Sequence, residues 1–407
     1  MRRVLGRVMG IRRMGKIKFL DVMRNHDTLV QVATDCDIEH VKRGDHVEAC
    51  GQDHVNKDGT MGLKAVDITV VKSHSLTHFP DAKMGENNAE ERFIDLLANP
   101  EHGIILRRRA EIINRLRQYL IASKGFLEVE TPILSPFANG AMARPFQLKR
   151  DDPNSEQFFL RIAPELNLKR LIIGGFDKVF EIGKVFRNEG EDSTHNPEFT
   201  SLELYQAYAG FKDLKELTNE ILNLFPDYRT FTDNREISII DFLKSKNIYL
   251  SVEREQARQQ LLKLLFGIPN AEQKTTGKLF DILVDKMIVE PNENVPVLTL
   301  TDFPLFTSPL AAESDSKGIA SRLEVYIYGK EVANGYQELT DPVEQLLRFK
   351  EQDVEKQTYV DHETPSPDYT YIRALEYGLP PCIGLGIGID RLVMLLLNAK
   401  SIKKVIF

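Results

Sequence analysis

The chain has 407 residues, of which 42% are hydrophobic and 28% charged. That length suggests two or three domains, and the composition is that of a globular protein. A net charge of -7 argues against binding nucleic acid over the whole surface, and no run approaches the ~18 apolar residues of a membrane helix. The start has charge but no apolar signal core, and the three cysteines form no CxxC pair. A reducing cytoplasm is therefore expected, with no zinc site or disulfide framework.

Residues 1–75 read as all-β. Short alternating runs at Arg3–Gly10, Lys16–Met23, Thr28–Thr34, His46–Gly51 and Leu63–Val71 are divided by turn signals. Five such strands suit a small barrel of the oligonucleotide-binding (OB) type. Residues 1–20 hold seven basic side chains and no acidic one, a local patch that suits a polyanion or a solvated strand face. Residues 76–105 are expected to be a linker. From Leu106 a helical pattern runs through Ala110, Ile113, Leu116 and Leu120. Gly125 ends it, and the strand-like Phe126–Pro132 follows. Beyond it, strands and helices mix without βαβ alternation, which favours an α+β domain on a mostly antiparallel sheet over 106–407. Residues 226–297 are polar and helix-prone, with helices predicted at Ala257–Phe266 and Lys278–Met287, and read as an insertion.

The most informative stretch is 184–200. A strand runs into Arg187, a polar loop follows, and a second strand begins near Phe199. An arginine at a strand end facing such a loop suits a phosphate ester, because its planar fork bonds two phosphoryl oxygens. Period two puts Glu203 and Tyr205 on one strand face, and Asn334, Tyr336 and Glu338 on another. Carboxylates among apolar strand residues are costly unless paired. Glu165, Glu203, Glu324, Glu331 and Glu338 have too few strand-borne cations nearby, so metal ions and a cationic ligand are expected partners. Gly384-Leu-Gly386-Ile-Gly388-Ile-Asp390-Arg391 reads as a strand lying close beneath something flat, with an arginine where a helix opens and an anion is favoured.

These segments together resemble the class II aminoacyl-tRNA synthetases, and within them the lysyl-tRNA synthetases. Gly125–Pro132 resembles their motif 1, which forms part of a dimer interface; Phe186 through Phe199 resembles motif 2; Gly384–Arg391 resembles motif 3. The segments Arg161-Ile-Ala-Pro-Glu165-Leu, His195-Asn-Pro-Glu-Phe-Thr and Asn334-Gly-Tyr-Gln-Glu-Leu mark the lysine branch. The resemblance implies a class II antiparallel sheet with flanking helices, an N-terminal OB-type barrel, a homodimer, and the substrates ATP, L-lysine and tRNA-Lys, with Mg²⁺. It implies that Arg187 holds the ATP α-phosphate and Arg391 the γ-phosphate, as the catalytic pair. Glu189, His195 and Asn196 would contact the nucleotide, with Phe199 on the adenine. Glu324 would contribute to the ATP site and, with Glu331, bind Mg²⁺. Glu165 would take the lysine α-ammonium and Asn334 its carboxylate. Glu203, Tyr205 and Glu338 would hold the ε-ammonium, with Tyr336 and the Gly140 loop walling the pocket. Phe19 and Gln31 would read an anticodon base, although a lone aromatic such as Phe19 equally suits a barrel core.

Asn139 departs from the family, which carries glycine there. Relatives also extend beyond both ends, so a minimal or truncated form is expected. Two alternatives remain. An elongation factor P lysine ligase-like enzyme shares the core, but lacks the barrel and carries alanine at the position of Gly386. A non-catalytic RNA-binding paralogue is expected to have lost Arg187, Arg391, Glu324 or Glu331. Aspartyl and asparaginyl synthetases share the architecture but call for a cationic side-chain pocket.

Overall fold

The computed structural model describes the chain apart from residues 27, 57, 74–78, 81–90, 138–139, 150–156, 230, 232, 360, 362 and 364–365. Asn139 lies outside the described residues. Two compact units divide the chain, Met1–Ala110 with Phe407, and Glu111–Ile406.

In the first unit, β1 (Arg2–Met14), β2 (Ile17–Arg24), β3 (Thr28–Thr34), β4 (His46–Val55) and β5 (Met61–Lys72) close a barrel in the order β1-β2-β3-β5-β4. Among the described residues of this barrel only β3 and β5 pair in parallel, the connectivity of an OB-type barrel. Alternate residues such as Val4, Val8, Leu20, Val22, Val30 and Val32 fill it. Phe19 and Gln31 belong to the opposite phase of that alternation. Leu20 and Val22 are buried inward, so Phe19 faces outward, on the same side as its partner Ala33 and the Asp21–Gln31 pair. The barrel-core reading of Phe19 is thereby excluded. The helices α1 (Arg92–Ala98) and α2 (Pro100–Gln118) occupy much of the stretch expected to be a linker. The first turn of α2, Pro-Glu-His-Gly, is polar and carries no apolar spacing.

The second unit is built on an eight-stranded sheet. Its strands are β6 (Leu127–Glu128), β10 (Lys178–Phe186), β11 (Glu198–Ala207), β12 (Asn234–Ser238), β13 (Val297–Pro304), β14 (Ile319–Ile327), β15 (Lys330–Gln337) and β16 (Cys382–Gly388). The order is β12-β13-β14-β15-β16-β11-β10-β6, antiparallel except at its two ends. Short strands β7 (Leu134–Ser135), β8 (Gln147–Leu148) and β9 (Phe158–Leu160) form a separate small sheet. Flanking helices are α3 (Glu165–Ile173), α4 (Phe211–Leu222), α8 (Pro342–Tyr359), α9 (Tyr369–Leu375) and α10 (Ile389–Leu396).

The segment read as an insertion carries α5 (Ile239–Ser245), α6 (Arg254–Leu264) and α7 (Thr276–Val284). Its apolar residues Leu243, Leu261, Leu279, Phe280 and Leu283 pack on Leu298 and Leu300 of β13. The segment also supplies β12, which pairs in parallel with β13 and extends the sheet. The sequence reading did not anticipate that strand, since Asn-Arg-Glu-Ile-Ser is short and polar.

Candidate active site

The register of the central strands sets the site. One row across the sheet runs Glu181, Glu203, Gly386, Asn334, Glu324. The next row on the same face runs Val179, Tyr205, Gly384, Tyr336, Arg322. Directly opposed residues of a ladder share a face, so polar side chains line up from strands distant in sequence. The β16 glycines leave a trough between them. A Cβ at Gly384 would come within 2.4 Å of the Tyr205 ring and 2.2 Å of Glu338 Oε1. At Gly386 it would meet nothing nearer than 3.7 Å.

Over this trough lies a cavity of about 640 Å³. Arg187, Glu189, His195, Asn196 and Phe199 line one part of it; Glu165, Glu203, Tyr205 and Gly140 another. Asn334, Tyr336, Glu324, Glu331 and Arg391 complete the expected set. Glu338 is the exception. Only 2% exposed, it does not line the cavity and fills the space that a Gly384 side chain would take. Phe19 and Gln31 belong to the barrel unit and take no part here.

Local chemistry shapes the loop between β10 and β11. Asp192 Oδ1 accepts from the backbone N–H groups of Thr194 (2.6 Å) and His195 (2.8 Å), and Asp192 Oδ2 lies 2.8 Å from His195 Nδ1. These bonds hold the exposed Asp192 carboxyl well below the usual range, the Thr194 amide most of all. The Arg187 amide donates to Pro197 O (2.8 Å), closing the loop base. The guanidinium of Arg187 lies 5.1 Å from the Phe199 ring centroid, and its Nε is buried without a hydrogen-bond partner. At the other strand end, Asp390 in the first turn of α10 accepts from Thr200 N–H (2.9 Å) and ties α10 to β11. Arg391 donates to Thr194 O (3.2 Å) and to Glu331 O (3.0 Å).

The carboxylates have more cationic partners than the sequence suggested. Arg322 pairs with Glu324, whose oxygens also accept from Asn334 Nδ2 (3.1 Å) and Tyr326 Oη (2.8 Å). Lys169 bonds Glu165 at 2.7 Å and pairs with Glu338. The expectation of too few cations considered strands alone. Lys169 sits on α3, four residues after Glu165, and that Glu→Lys spacing was the available signal. Arg161 and Glu181 form a further buried pair at 2.6 Å, and Arg161 also donates to Lys184 O (2.8 Å).

Charge remains unbalanced even so. Burial pushes the Glu203 carboxyl up to about 8, with Glu165 adding repulsion. Burial likewise pushes Glu324 up to about 7, against the pull of Arg322 and with a push from Glu331 and Asp281. Asp281 of α7 is raised to about 6 by burial, and Asp285 is raised too, with Glu331 contributing to both. These two aspartates from the insertion also line the cavity, and the sequence reading missed them. Such an arrangement can accept cations at two places and a polyanion along its arginine-lined side.

Comparison with known proteins supplies the family. The description "tRNA synthetases class II (D, K and N)" matches residues 84–407. A lysine–tRNA ligase of Helicobacter pylori (strain ATCC 700392 / 26695) is 38% identical, over 99% of this chain and 85% of that protein. One of Dehalococcoides mccartyi is 38% identical over 99% of this chain and 86% of that protein. One of Sulfolobus acidocaldarius is 41% identical over 98% and 85% respectively. The chain belongs to the class II tRNA synthetases of the D, K and N group, and within it to the lysine–tRNA ligase family.

Proposed function

We propose that the protein activates L-lysine with ATP to lysyl-adenylate and transfers it to the 3′ end of tRNA-Lys. The observation that carries this reading is one cavity with a buried, charge-starved carboxylate at one end and the unpartnered Arg187 Nε donor at the other. The lysine carboxylate attacks the α-phosphorus of ATP in line, an oxygen–phosphorus bond forms, and pyrophosphate leaves. The terminal ribose hydroxyl of tRNA then attacks the adenylate carbonyl, and AMP leaves. No enzyme nucleophile is needed, so catalysis is positioning and electrostatic stabilisation. Arg187 is assigned to the α-phosphate and Arg391 to the γ-phosphate. Phe199 is assigned to the adenine, with Glu189, His195 and Asn196 around the nucleotide. Glu165 takes the α-ammonium, Asn334 orients the carboxylate, and Glu203 with Tyr205 and Glu338 receives the ε-ammonium. Tyr336 walls the pocket beside Gly140.

Mg²⁺ is assigned to Glu324 and Glu331. Among the described residues no three His, Cys, Asp or Glu side chains form a metal cage. Mg²⁺ takes one or two carboxylates and completes its shell with phosphate oxygens and water. The repulsion that raises Glu324 and Asp281, to which Glu331 contributes, favours a cation among them. When bound, the ion neutralises charge on the phosphate oxygens.

The deciding experiment is ATP–pyrophosphate exchange with each amino acid and β-lysine, followed by charging of tRNA. Exchange driven by L-lysine is expected; a preference for β-lysine, or no exchange, overturns the reading. Proton linkage provides a second check. With its carboxyl raised to about 8, Glu203 holds a proton at pH 7 until an ammonium group arrives. Lysine binding is therefore expected to release a proton, and affinity to rise from pH 6 to 8 by up to about tenfold per unit. Calorimetry in two buffers of different ionisation enthalpy reads this directly. A buffer-independent enthalpy at pH 7 refutes the protonated Glu203.

Gly384 offers a steric test. Gly384→Ala forces Tyr205 or Glu338 aside and is expected to raise the lysine KM roughly a hundredfold while leaving the ATP KM near its starting value. Gly386→Ala meets only ordinary contacts and is expected to fold with a stability change of about 0.5 kcal/mol or less. Equal effects of the two on lysine KM are the contrary result.

The barrel is proposed to bind the anticodon stem-loop, with Phe19 stacking on a base and Gln31 beside it. A homodimer in the cytoplasm is proposed as well. Its support is the edge position of β6 and the exposed apolar side chains Leu127, Ile133 and Leu134 around it. No helix of the described residues is long and apolar enough to cross a membrane. Light scattering is expected to give twice the chain mass; a monomer at micromolar concentration excludes the dimer.

A further inference from the structure

Lys169 is an unusual lysine. Its side chain is fully buried on α3. Its ammonium bonds Glu165 and pairs with Glu338. The rings of Tyr205, Tyr336 and Tyr371 surround it, with centroids 5.8, 5.8 and 5.9 Å away. Three aromatic faces and two carboxylates make a built ammonium cage. Burial favours the neutral amine, yet Glu165 and Glu338 hold Lys169 charged, well above its usual range. The cage is thus filled by a residue of the chain itself. It shares Tyr205 and Glu338 with the proposed ε-ammonium end of the substrate pocket, and Glu165 with the α-ammonium end.

We infer that Lys169 is a specificity-determining positioning residue, whose fixed ammonium pins Glu338 and Glu165 and sets the charge of the pocket to match free lysine. The inference rests on the lysine-activating reading given above. Three carboxylates face this region: Glu165, Glu203 and Glu338. With lysine bound and all three ionised, one resident ammonium leaves two negative charges, the number that the α- and ε-ammonium groups of lysine neutralise. A ligand with one ammonium strands a buried charge, which is the costly case. Without Lys169 the count is three negative charges against two positive, and a buried carboxyl takes up a proton instead. Glu338 is then neither fixed nor ionised, and its grip on the ε-ammonium goes. Lys169 touches no reacting atom; it acts through the carboxylates.

The test is a double-mutant cycle on Lys169→Met and Glu338→Gln, read by lysine-driven ATP–pyrophosphate exchange. Lys169→Met is expected to raise the lysine KM at least about thirtyfold, with the ATP KM changed by less than about threefold. The double variant is expected to bind lysine no worse than Glu338→Gln, within about threefold or better, because the Glu338 carboxylate is gone, Glu165 keeps its bond from Tyr336 Oη (3.3 Å), and Glu165 and Glu203 again match two ammonium groups. A residue that only supports the fold gives multiplicative losses instead, and that result overturns the inference. Should Lys169→Met alone fail to fold, the double variant, which leaves Glu338 without a charge to neutralise, is expected to recover folding. Its lysine KM against Glu338→Gln then gives the same comparison. Failure of both to fold makes Lys169 a structural ion and also overturns the inference. Wild-type protein without lysine-driven exchange removes the underlying reading; normal wild-type exchange with a multiplicative cycle removes only the role of Lys169.

Discussion

Replacing Arg187 with alanine is expected to lower kcat for lysine-dependent exchange by roughly a thousandfold or more, with little change in Tm. The guanidinium sits at the end of β10, where the strand gives way to the loop. It lies 5.1 Å from the Phe199 ring centroid, and the backbone N–H of Arg187 is tied to Pro197 O. Its Nε is buried and unpartnered, so the folded chain carries a donor without an acceptor. Such a donor costs stability. Removing it therefore spares the fold, and the loss falls on the transition state, where charge builds on the phosphoryl group. Arg187→Lys keeps the charge and loses the fork, so an intermediate loss of about ten- to a hundredfold is expected. The measurement is steady-state exchange with ATP and lysine both varied. A drop in kcat below tenfold for the alanine variant removes Arg187 from the chemistry. An equal rise in ATP KM with kcat unchanged makes it a ground-state binding residue only.

The extent to which this site could be read without coordinates has a physical pattern. Alternation is local, so the barrel strands and the faces of Glu203, Tyr205, Asn334 and Tyr336 were legible from period two. The glycine run of β16 was legible as a close-lying strand, because three glycines two apart leave one face bare. What could not be read is whatever depends on one element folding over another. Lys169 belongs to a helix, and nothing in its spacing tells that α3 brings it against Glu338, which lies 169 positions later in the chain. The same holds for Asp281 and Asp285, whose predicted helix read as part of an insertion but reaches the cavity. Phe19 was ambiguous between core and surface for a different reason: an aromatic suits either face of a barrel strand, and only the inward phase of Leu20 and Val22 decides it. Strand β12 escaped because its sequence is short and polar, and its place is earned by pairing with β13.

Glu203→Gln is expected to separate stability from activity. Glu203 is 8% exposed, lines the cavity, and accepts a long bond from Tyr205 Oη at 3.3 Å. Burial raises its carboxyl from 4.5 to about 8. The sign follows from the raised value: the carboxyl costs nothing below its unfolded pKa, and stability is lost progressively as pH rises from about 4.5 through 8. At about 1.4 kcal/mol per unit the ligand-free protein loses on the order of 5 kcal/mol across that window. Glutamine is nearly isosteric and cannot ionise, so the variant escapes this loss, less the cost of satisfying a buried amide. The expected result is a Tm raised by roughly 2–4 °C at pH 8.5 and unchanged at pH 4.5. Activity goes the other way. The ε-ammonium then faces a neutral amide in a buried site, and lysine-dependent kcat/KM is expected to fall about a thousandfold, while the ATP affinity holds. The stabilisation conferred by lysine itself is expected to vanish at millimolar concentration, since binding of a charged ligand is what offsets the buried carboxylate. Thermal denaturation at the two pH values, with and without lysine, reads all of this in one series. A variant that loses stability at pH 8.5, or keeps lysine-driven exchange within tenfold, means that Glu203 is already compensated in the free protein and that the lysine side chain is held elsewhere.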